Sequence, residues 1–271
     1  MSKSYYYLIA GMPEIAFDHK KLVFKQDEFK TYLQEELAPE DFDIIQNLYL
    51  KYDNENLLKL IFNKDDDTFN DLGVYKKDEL IQALKEPEGL NPYLIQFISE
   101  YLVSDNKDSV IFWEHRLTTL YYEYLFNIKN DFLRNWFHFE FMTNTVVTAY
   151  NSRKYGFLAE EQLILTDENI QAVAKSGAKD FGLTVDWPSV NNILNIFEIE
   201  NILKREEALD RFRWDWIDEK MTFEYFSFEV VISMLLKLRI IDRWINADPE
   251  NGKRLFRQLL EDIKSSSKKE I

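Results

Sequence analysis

Between Ser109 and Tyr155 apolar residues recur at every third or fourth position with little interruption. Leu117, Leu120, Tyr121, Tyr124, Leu125, Ile128, Phe132, Leu133, Trp136 and Phe137 step along one helical face, and the pattern runs on through Phe141, Val147 and Tyr150. One unbroken helix over 110–153 would be roughly 66 Å long at about 1.5 Å per residue. A break at Asn130-Asp131 is the alternative, and Gly156 is the natural stop. Such a stretch commits the chain to helix packing. The supply of turn-formers agrees, because the 271 residues include only 7 Gly and 6 Pro, roughly half of average usage. With 46% hydrophobic and 15% aromatic residues, the helices have bulky side chains to pack together. The expectation is an all-α fold of long helices.

The same spacing places helices elsewhere. Phe29, Tyr32, Leu33 and Leu37 mark one over 26–37, with Asp27 at its positive end. Pro39 suits the first turn of the next, which carries Phe42, Ile45, Leu48 and Tyr49. The stretch YDNENLLKLIF follows, and 64–73 reads as an acidic loop. Short helices are expected over 78–84 and 92–102, and one capped by Thr166 ends at Lys175. Helical spacing resumes over 189–220 and 223–244, and Asp248-Pro249 starts a last helix to Lys264. Residues 265–271 read as a frayed tail. Strand signals are confined to the opening run SYYYLIAGMPEI and to 163–165. In a helical body no sheet is available to that run. The expectation is an extended N-terminal segment laid in a groove, its tyrosines buried with their hydroxyls on polar partners.

Charge and composition exclude several functions. Net charge is −15, with 48 acids against 33 bases. That disfavours a nucleic acid partner and adhesion to an anionic membrane surface. There is no cysteine, hence no disulfide, thiolate nucleophile or thiolate-bound metal. The opening run is too short and too rich in Tyr for a secretory signal. No uncharged stretch reaches the length of about 18 residues that a membrane span needs, so no direct membrane insertion is expected. The glycines form neither phosphate-binding pattern. His19, His115 and His138 lack metal-site spacing, and His138 reads as a helix-face histidine hydrogen-bonded within the protein. Asp65-Asp66-Asp67 fails as a calcium loop, because Phe69 and Asn70 stand where an oxygen ligand and a glycine belong. The acids Glu198, Glu200, Glu206, Glu207, Asp210, Asp215, Asp218 and Glu219 are interleaved with Arg205, Arg211 and Arg213. They read as an exposed salt-bridged face, with Glu207 and Arg211 paired at i,i+4. In Trp214-x-Trp216 one ring is expected inward and the other over a groove or interface. No cofactor, metal, catalytic residue or small-molecule substrate is implied.

The sequence also suggests an internal repeat. Phe137-His138-Phe139-Glu140 recurs as Phe226-Ser227-Phe228-Glu229 about 90 residues later, each copy joined to an apolar helix that ends in Arg and an aromatic. Three units (1–104, 105–188 and 189–264) would divide a single continuous helical domain over 1–271. YYYLIAGMPEI, YDNENLLKLIF, SGAKDFGL, RFRWDWIDE and FSFEVVISMLLKLRIIDRW together resemble a bacterial family of uncharacterised proteins encoded with V/A-type ATPase operons. That family in turn resembles a divergent form of the ATPase's C subunit, known in eukaryotic enzymes as the d subunit. The resemblance implies three related helical units in a funnel-like or bowl-like array. Each unit of such C subunits carries an acid followed by Asn, then an Arg-rich end. Asp53 and Asn56 match the first motif, and Glu140, Asn144 and Arg153 the second. Glu229, Arg239 and Arg243 match the third, except that Ser233 stands where Asn belongs. These residues are read first as hydrogen bonders that tie helices together, and second as partner contacts.

The implied function is non-catalytic. It is that of a central-stalk rotor subunit of an ion-translocating or proton-transporting ATPase or ATP synthase, joining the central shaft to the membrane rotor ring. Its place would be cytoplasmic, peripheral to the inner membrane through a protein complex. The alternatives are a helical protein-binding scaffold unrelated to any ATPase, and an enzyme with a carboxylate site in 198–219.

Overall fold

A computed structural model describes residues 5–17, 25–62, 69–164 and 167–247. Among these the chain forms thirteen α-helices and no strand. They fall into two compact units. A terminal unit combines residues 1–39 with 210–271, and a central unit comprises 40–209. Neither boundary coincides with those of the three sequence segments. The expected last helix, the frayed tail, the three aspartates, Thr166 and His19 lie outside the described residues.

The central unit is built on α4 (Leu50–Phe62), α6 (Pro92–Val103), α7 (Val110–Leu125) and α8 (Asp131–Tyr155). Shorter helices fill in around them: α3 (Pro39–Gln46), which begins in the terminal unit, α5 (Lys77–Ala83), α9 (Ala159–Gln162), α10 (Glu168–Lys175) and α11 (Val190–Phe197). Helix α6 lies along α7, α4 touches α5 and α7, and α8 meets α7, α9, α10 and α11. The long apolar run is broken at 126–130, the alternative at Asn130-Asp131. Asn130 there turns its side chain onto the Leu133 N–H and caps α8. The chain then folds back, so that Phe126 meets His138 and Tyr122 meets Phe141. Folding back buries both aromatic faces against each other, which one long rod could not do. At the far end Gly156 closes α8 in the left-handed region, at φ 76°. Arg116 ties α7 to α6 through two 2.6 Å bonds to Glu100. That carboxyl is held below its usual range chiefly by this hydrogen bonding.

The described part of the terminal unit contains α1 (Tyr6–Gly11), α2 (Gln26–Glu36), the later turns of α12 (Ile202–Met221) and α13 (Phe228–Ala247). Helix α13 buries Val231, Ile232, Leu235, Leu236, Leu238 and Ile241. A helix apolar around most of its circumference belongs inside a bundle. Helix α2 packs on it with Phe29 and Leu33, both fully buried, and Gln26 donates to Asp242 at 2.7 Å.

Several expectations need correction. The opening run is a short helix, not an extended segment. An extended backbone without a sheet leaves its N–H and C=O groups unpaired, whereas a helical turn satisfies them internally. Of its tyrosines only Tyr5 reaches a polar partner, its hydroxyl accepting from the Ala38 N–H at 3.3 Å. Tyr6 and Tyr7 are exposed, and Leu8 is the buried residue of the turn. Asp167 caps α10, accepting from the Asn169 and Ile170 N–H groups. The helical spacing over 189–220 is divided at 198–201, where Asn201 accepts from the Lys204 N–H and starts α12. Helix α13 begins at Phe228 rather than Phe223, and Leu163 ends α9 instead of entering a strand. The two F-x-F-E copies occupy different places. Phe137–Glu140 lies inside α8, whereas Phe226 and Ser227 precede α13.

Because Leu8 anchors α1, Leu8→Ala is expected to cost about 2–3 kcal/mol by chemical denaturation. Tyr7→Ala, at a position 90% exposed, is expected to leave the midpoint unchanged.

Candidate functional site

A buried polar cluster in the central unit starts on α4. Asp53 and Asn56, three positions apart on one helical face, are both fully buried. The Asp53 carboxylate accepts from the Val74 N–H through both oxygens, at 3.0 and 2.8 Å. It also accepts from the Tyr75 N–H at 3.0 Å. The Asn56 amide pairs with the Asn70 backbone in both directions, donating to the carbonyl at 2.9 Å and accepting from the N–H at 2.8 Å. One helix face thus holds the loop 70–75 as a neighbouring strand would, satisfying backbone groups that the fold takes from water. Gly73 makes the close approach possible, since a β-carbon there would stand 2.5 Å from Asp53 Oδ1.

The cluster extends into a group of tyrosines. Tyr93 of α6 donates to Asn54 at 2.7 Å and stacks on Tyr124 at 5.3 Å. Burial pushes the Tyr93 phenol well above its usual range, and neighbouring Tyr121 and Asp53 add to the effect. Tyr75 is pushed up to about 12, first by burial; a hydrogen bond from the Asn91 backbone opposes this and the Asp53 charge reinforces it.

The second motif is distributed differently. Glu140 is half-buried on α8, and Asn144 one turn on is exposed. Arg153 lies near the end of the helix and donates to the Ala178 and Ser176 carbonyls at 2.8 and 2.9 Å. Its guanidinium sits 4.2 Å over the Phe181 ring. Phe181 is buried and holds a left-handed backbone at φ 56°. Arg153 therefore braces a strained turn with two hydrogen bonds and a cation–π contact.

In the third motif Glu229 and Arg239 are half-buried on α13. Ser233, where Asn belongs in the resemblance, is buried and donates to the Val230 carbonyl of its own helix at 2.8 Å. Arg243 donates to Asp210 of α12. Asp210 also accepts from Trp244 Nε1 at 2.8 Å and from Arg213 at 3.3 Å. Its carboxylate is buried, so the reading of 198–219 as one exposed face fails at this position. The sequence held the signal, because Asp210, Trp214 and Ile217 follow the 3,4 spacing of a buried face.

The other acids of that stretch do not gather into a site. Glu198 faces Lys179 at 3.7 Å, Asp218 pairs with Lys237, and Glu219 lies 3.5 Å from Lys220. Arg211, expected on Glu207, has its guanidinium 3.7 Å over the Phe17 ring. Trp214 is buried against Phe17 and Lys237, and Trp216 is half-buried beside Lys220. No group of three His, Cys, Asp or Glu among the described residues is placed to hold a metal ion. His138 stacks flat on Phe126 at 3.9 Å, and desolvation followed by the charge of Arg134 lowers its pKa. A cleft of about 600 Å³ in the central unit is walled by Glu55, Leu58 and Phe62 of α4, by Tyr101 of α6, and by Lys107 and Glu114. Its lining mixes both signs of charge with apolar groups, and no constellation in it points to a reaction. No helix among the described residues is long and apolar enough to cross a membrane.

Among known proteins, the chain belongs to the DUF2764 family, described as a protein of unknown function, whose family model matches residues 1–267. No curated protein and no solved structure matches it.

The α4 cluster can be probed by substitution. Asp53→Ala strands two part-buried N–H donors, of Val74 and Tyr75, and is expected to cost about 2–6 kcal/mol, at about 1–3 for each. Gly73→Ala is expected to cost about 1–3 kcal/mol in the native background and clearly less in the Asp53→Ala background, where the clashing oxygen is gone. Additive costs in a denaturation cycle would contradict the close approach. The tyrosines predict an alkaline limit. Below the unfolded phenol value of about 10 both states keep the proton. As pH rises from about 10 to 12 the unfolded chain loses protons that the fold retains, so stability falls. Tyr75→Phe should flatten that fall, as read from denaturation midpoints across the window.

Proposed function

We propose that this DUF2764 protein is a non-catalytic central-stalk rotor subunit of a V/A-type ion-translocating ATPase. In this reading its helical units are related to one another and form a cup that joins the central shaft to the membrane ring on the cytoplasmic side. The observation that carries the reading is the pair Asp53 and Asn56. It matches the first acid-and-Asn motif of the resemblance to the ATPase's C subunit, and its side chains are buried and bonded to the loop 70–75. A part that passes torque must resist deformation. Close-packed aromatic helices with their connecting loops tied to buried carboxylate and amide groups supply that stiffness. The Arg153 brace and the Asp210–Arg243 contact serve the same end.

The test is retrieval from native membranes. A chromosomally tagged full-length chain is expected to bring down shaft and ring subunits of the ATPase. Deletion of its gene is expected to leave ATP hydrolysis by the soluble head intact while ATP-driven ion uptake into vesicles is lost. A tagged chain that retrieves no ATPase component, together with normal uptake in the deletion strain, sinks the reading. The second reading, a helical scaffold for another soluble protein, is favoured by the exposed aromatic rings of the terminal unit. A stable partner outside any ATPase would select it.

A further inference from the structure

The terminal unit carries a group of aromatic side chains that the fold leaves in water. Tyr6 and Tyr7 of α1 are 52% and 90% exposed, and Phe223, Tyr225 and Phe226 of the connector between α12 and α13 are 85%, 68% and 42% exposed. The two segments are held together. The Tyr5 N–H donates to the Phe226 carbonyl at 3.1 Å, and the Tyr6 ring lies 4.6 Å from that of Phe226 and 5.7 Å from that of Tyr7. Single exposed apolar residues need no explanation, but here three rings are in contact and two more stand within three residues of Phe226 on the same connector, a concentration of the kind that marks an interaction site. Tyr and Phe are enriched at the buried centre of interfaces.

The charged side chains of the two segments themselves are of one sign, and the flanking Lys220 and Lys237 are paired with Glu219 and Asp218. Residues 5–17 and 221–236 contain no Lys or Arg, and their charged side chains are Glu14, Glu224 and Glu229. Glu229 lies in the first turn of α13, where it answers the positive end of that helix. Glu14 and Glu224 are exposed. Exposed rings on either side of an exposed carboxylate, as Phe223 and Tyr225 flank Glu224 in the chain, attract a cation twice, through the ring quadrupole and through charge. The unit uses this chemistry internally, with Arg211 3.7 Å over Phe17 and Lys237 4.8 Å over Trp214. Among the described residues no cation lies over Phe223 or Tyr225 in the same way.

We infer that this aromatic and acidic face of the terminal unit is a docking surface for a Lys- and Arg-bearing segment of another protein. The rings supply the apolar contact, Tyr225 and Phe223 receive cationic heads on their faces, and Glu224 fixes the register. The inference does not depend on the rotor reading, since a basic segment of any partner satisfies it.

The test is site-directed photo-crosslinking in native cells with the full-length chain carrying p-benzoylphenylalanine at position 223 or 225. The expected product joins the chain to a different protein, at a segment rich in Lys and Arg. Its yield is expected to fall with Glu224→Lys and with rising ionic strength. A product with a second copy of the chain, with its own residues 248–271, or with a segment lacking Lys and Arg overturns the inference, as does no product from either position. With the crosslinked segment as a synthetic peptide, Phe223→Ala combined with Tyr225→Ala is expected to weaken binding about tenfold or more. An unchanged melting temperature in that variant separates lost docking from lost fold. Unchanged peptide affinity overturns the inference. A basic segment from outside any ATPase would support the docking surface while removing the rotor reading.

Discussion

A buried carboxylate is expensive unless it is hydrogen-bonded. Asp53 meets that condition by accepting from two backbone N–H groups, that of Val74 shared between its two oxygens and that of Tyr75. The arrangement has consequences along the chain. A loop that crosses so close to a helix face cannot carry a side chain at its nearest point, which makes position 73 a glycine. The other end of the loop has its own backbone groups to satisfy, and the Asn56 amide takes one donor and one acceptor. With the loop fixed, α5 starts at a defined place, and the Glu79 carboxylate reaches back to the Lys76 N–H at 2.7 Å. Tyr75 and Tyr93 are then held close enough to Asp53 to feel its charge. Much of the local order of the central unit depends on one anion that is cheap to keep only while all its bonds are made.

The terminal unit uses the same physics with different donors. Asp210 is buried like Asp53, but its partners are side chains, Arg213, Arg243 and Trp244, rather than a loop backbone. It therefore joins α12 to α13 where Asp53 joins α4 to the loop that follows. Arg153 reverses the roles, being a cation that gathers carbonyls at the end of α8. The three devices agree in effect: each satisfies polar groups at a point where helix packing alone would leave them unpaired.

Most helices were legible because their apolar spacing leaves few choices. Phe29 and Leu33 of α2 are fully buried, and the 3,4 spacing through Phe29, Tyr32 and Leu33 marks that face. The polar tetrapeptide Asn127-Ile128-Lys129-Asn130 hides an apolar residue, yet its asparagines are turn-formers, and the break fell there. The opening run was not legible, since a short string of apolar residues fits a strand, a coil or a turn of helix equally well. Its conformation depends on whether distant residues offer a sheet edge, which no local pattern records. Asp210 was missed for a related reason. Acidic residues crowd its neighbourhood, and composition hid the 3,4 register it shares with Trp214 and Ile217. The bonds of Asp53 were legible only as a motif. Nothing in YDNENLLKLIF tells that its acid would accept from residues about twenty positions later, because loop geometry is non-local.

The aromatic residues of the helix interiors and those of the terminal unit's short segments meet different surroundings. Those on the middle turns of long helices, such as Tyr121, Trp136 and Phe137, are buried. A helix fixes their direction, and the facing helix supplies a partner surface. In the terminal unit the most exposed ones stand where the backbone is short or irregular, on α1 and in the connector at 222–227, whereas in the central unit Phe112 and Tyr155 are exposed at helix ends. A connector need not contain Phe223 or Tyr225 to make its turn, and polar residues there would cost the fold nothing in buried surface. Their presence therefore points to selection outside the folding of this chain. The hydrogen bond from Tyr5 to Phe226 holds two such segments in one place, which lowers the ordering cost when they meet a partner.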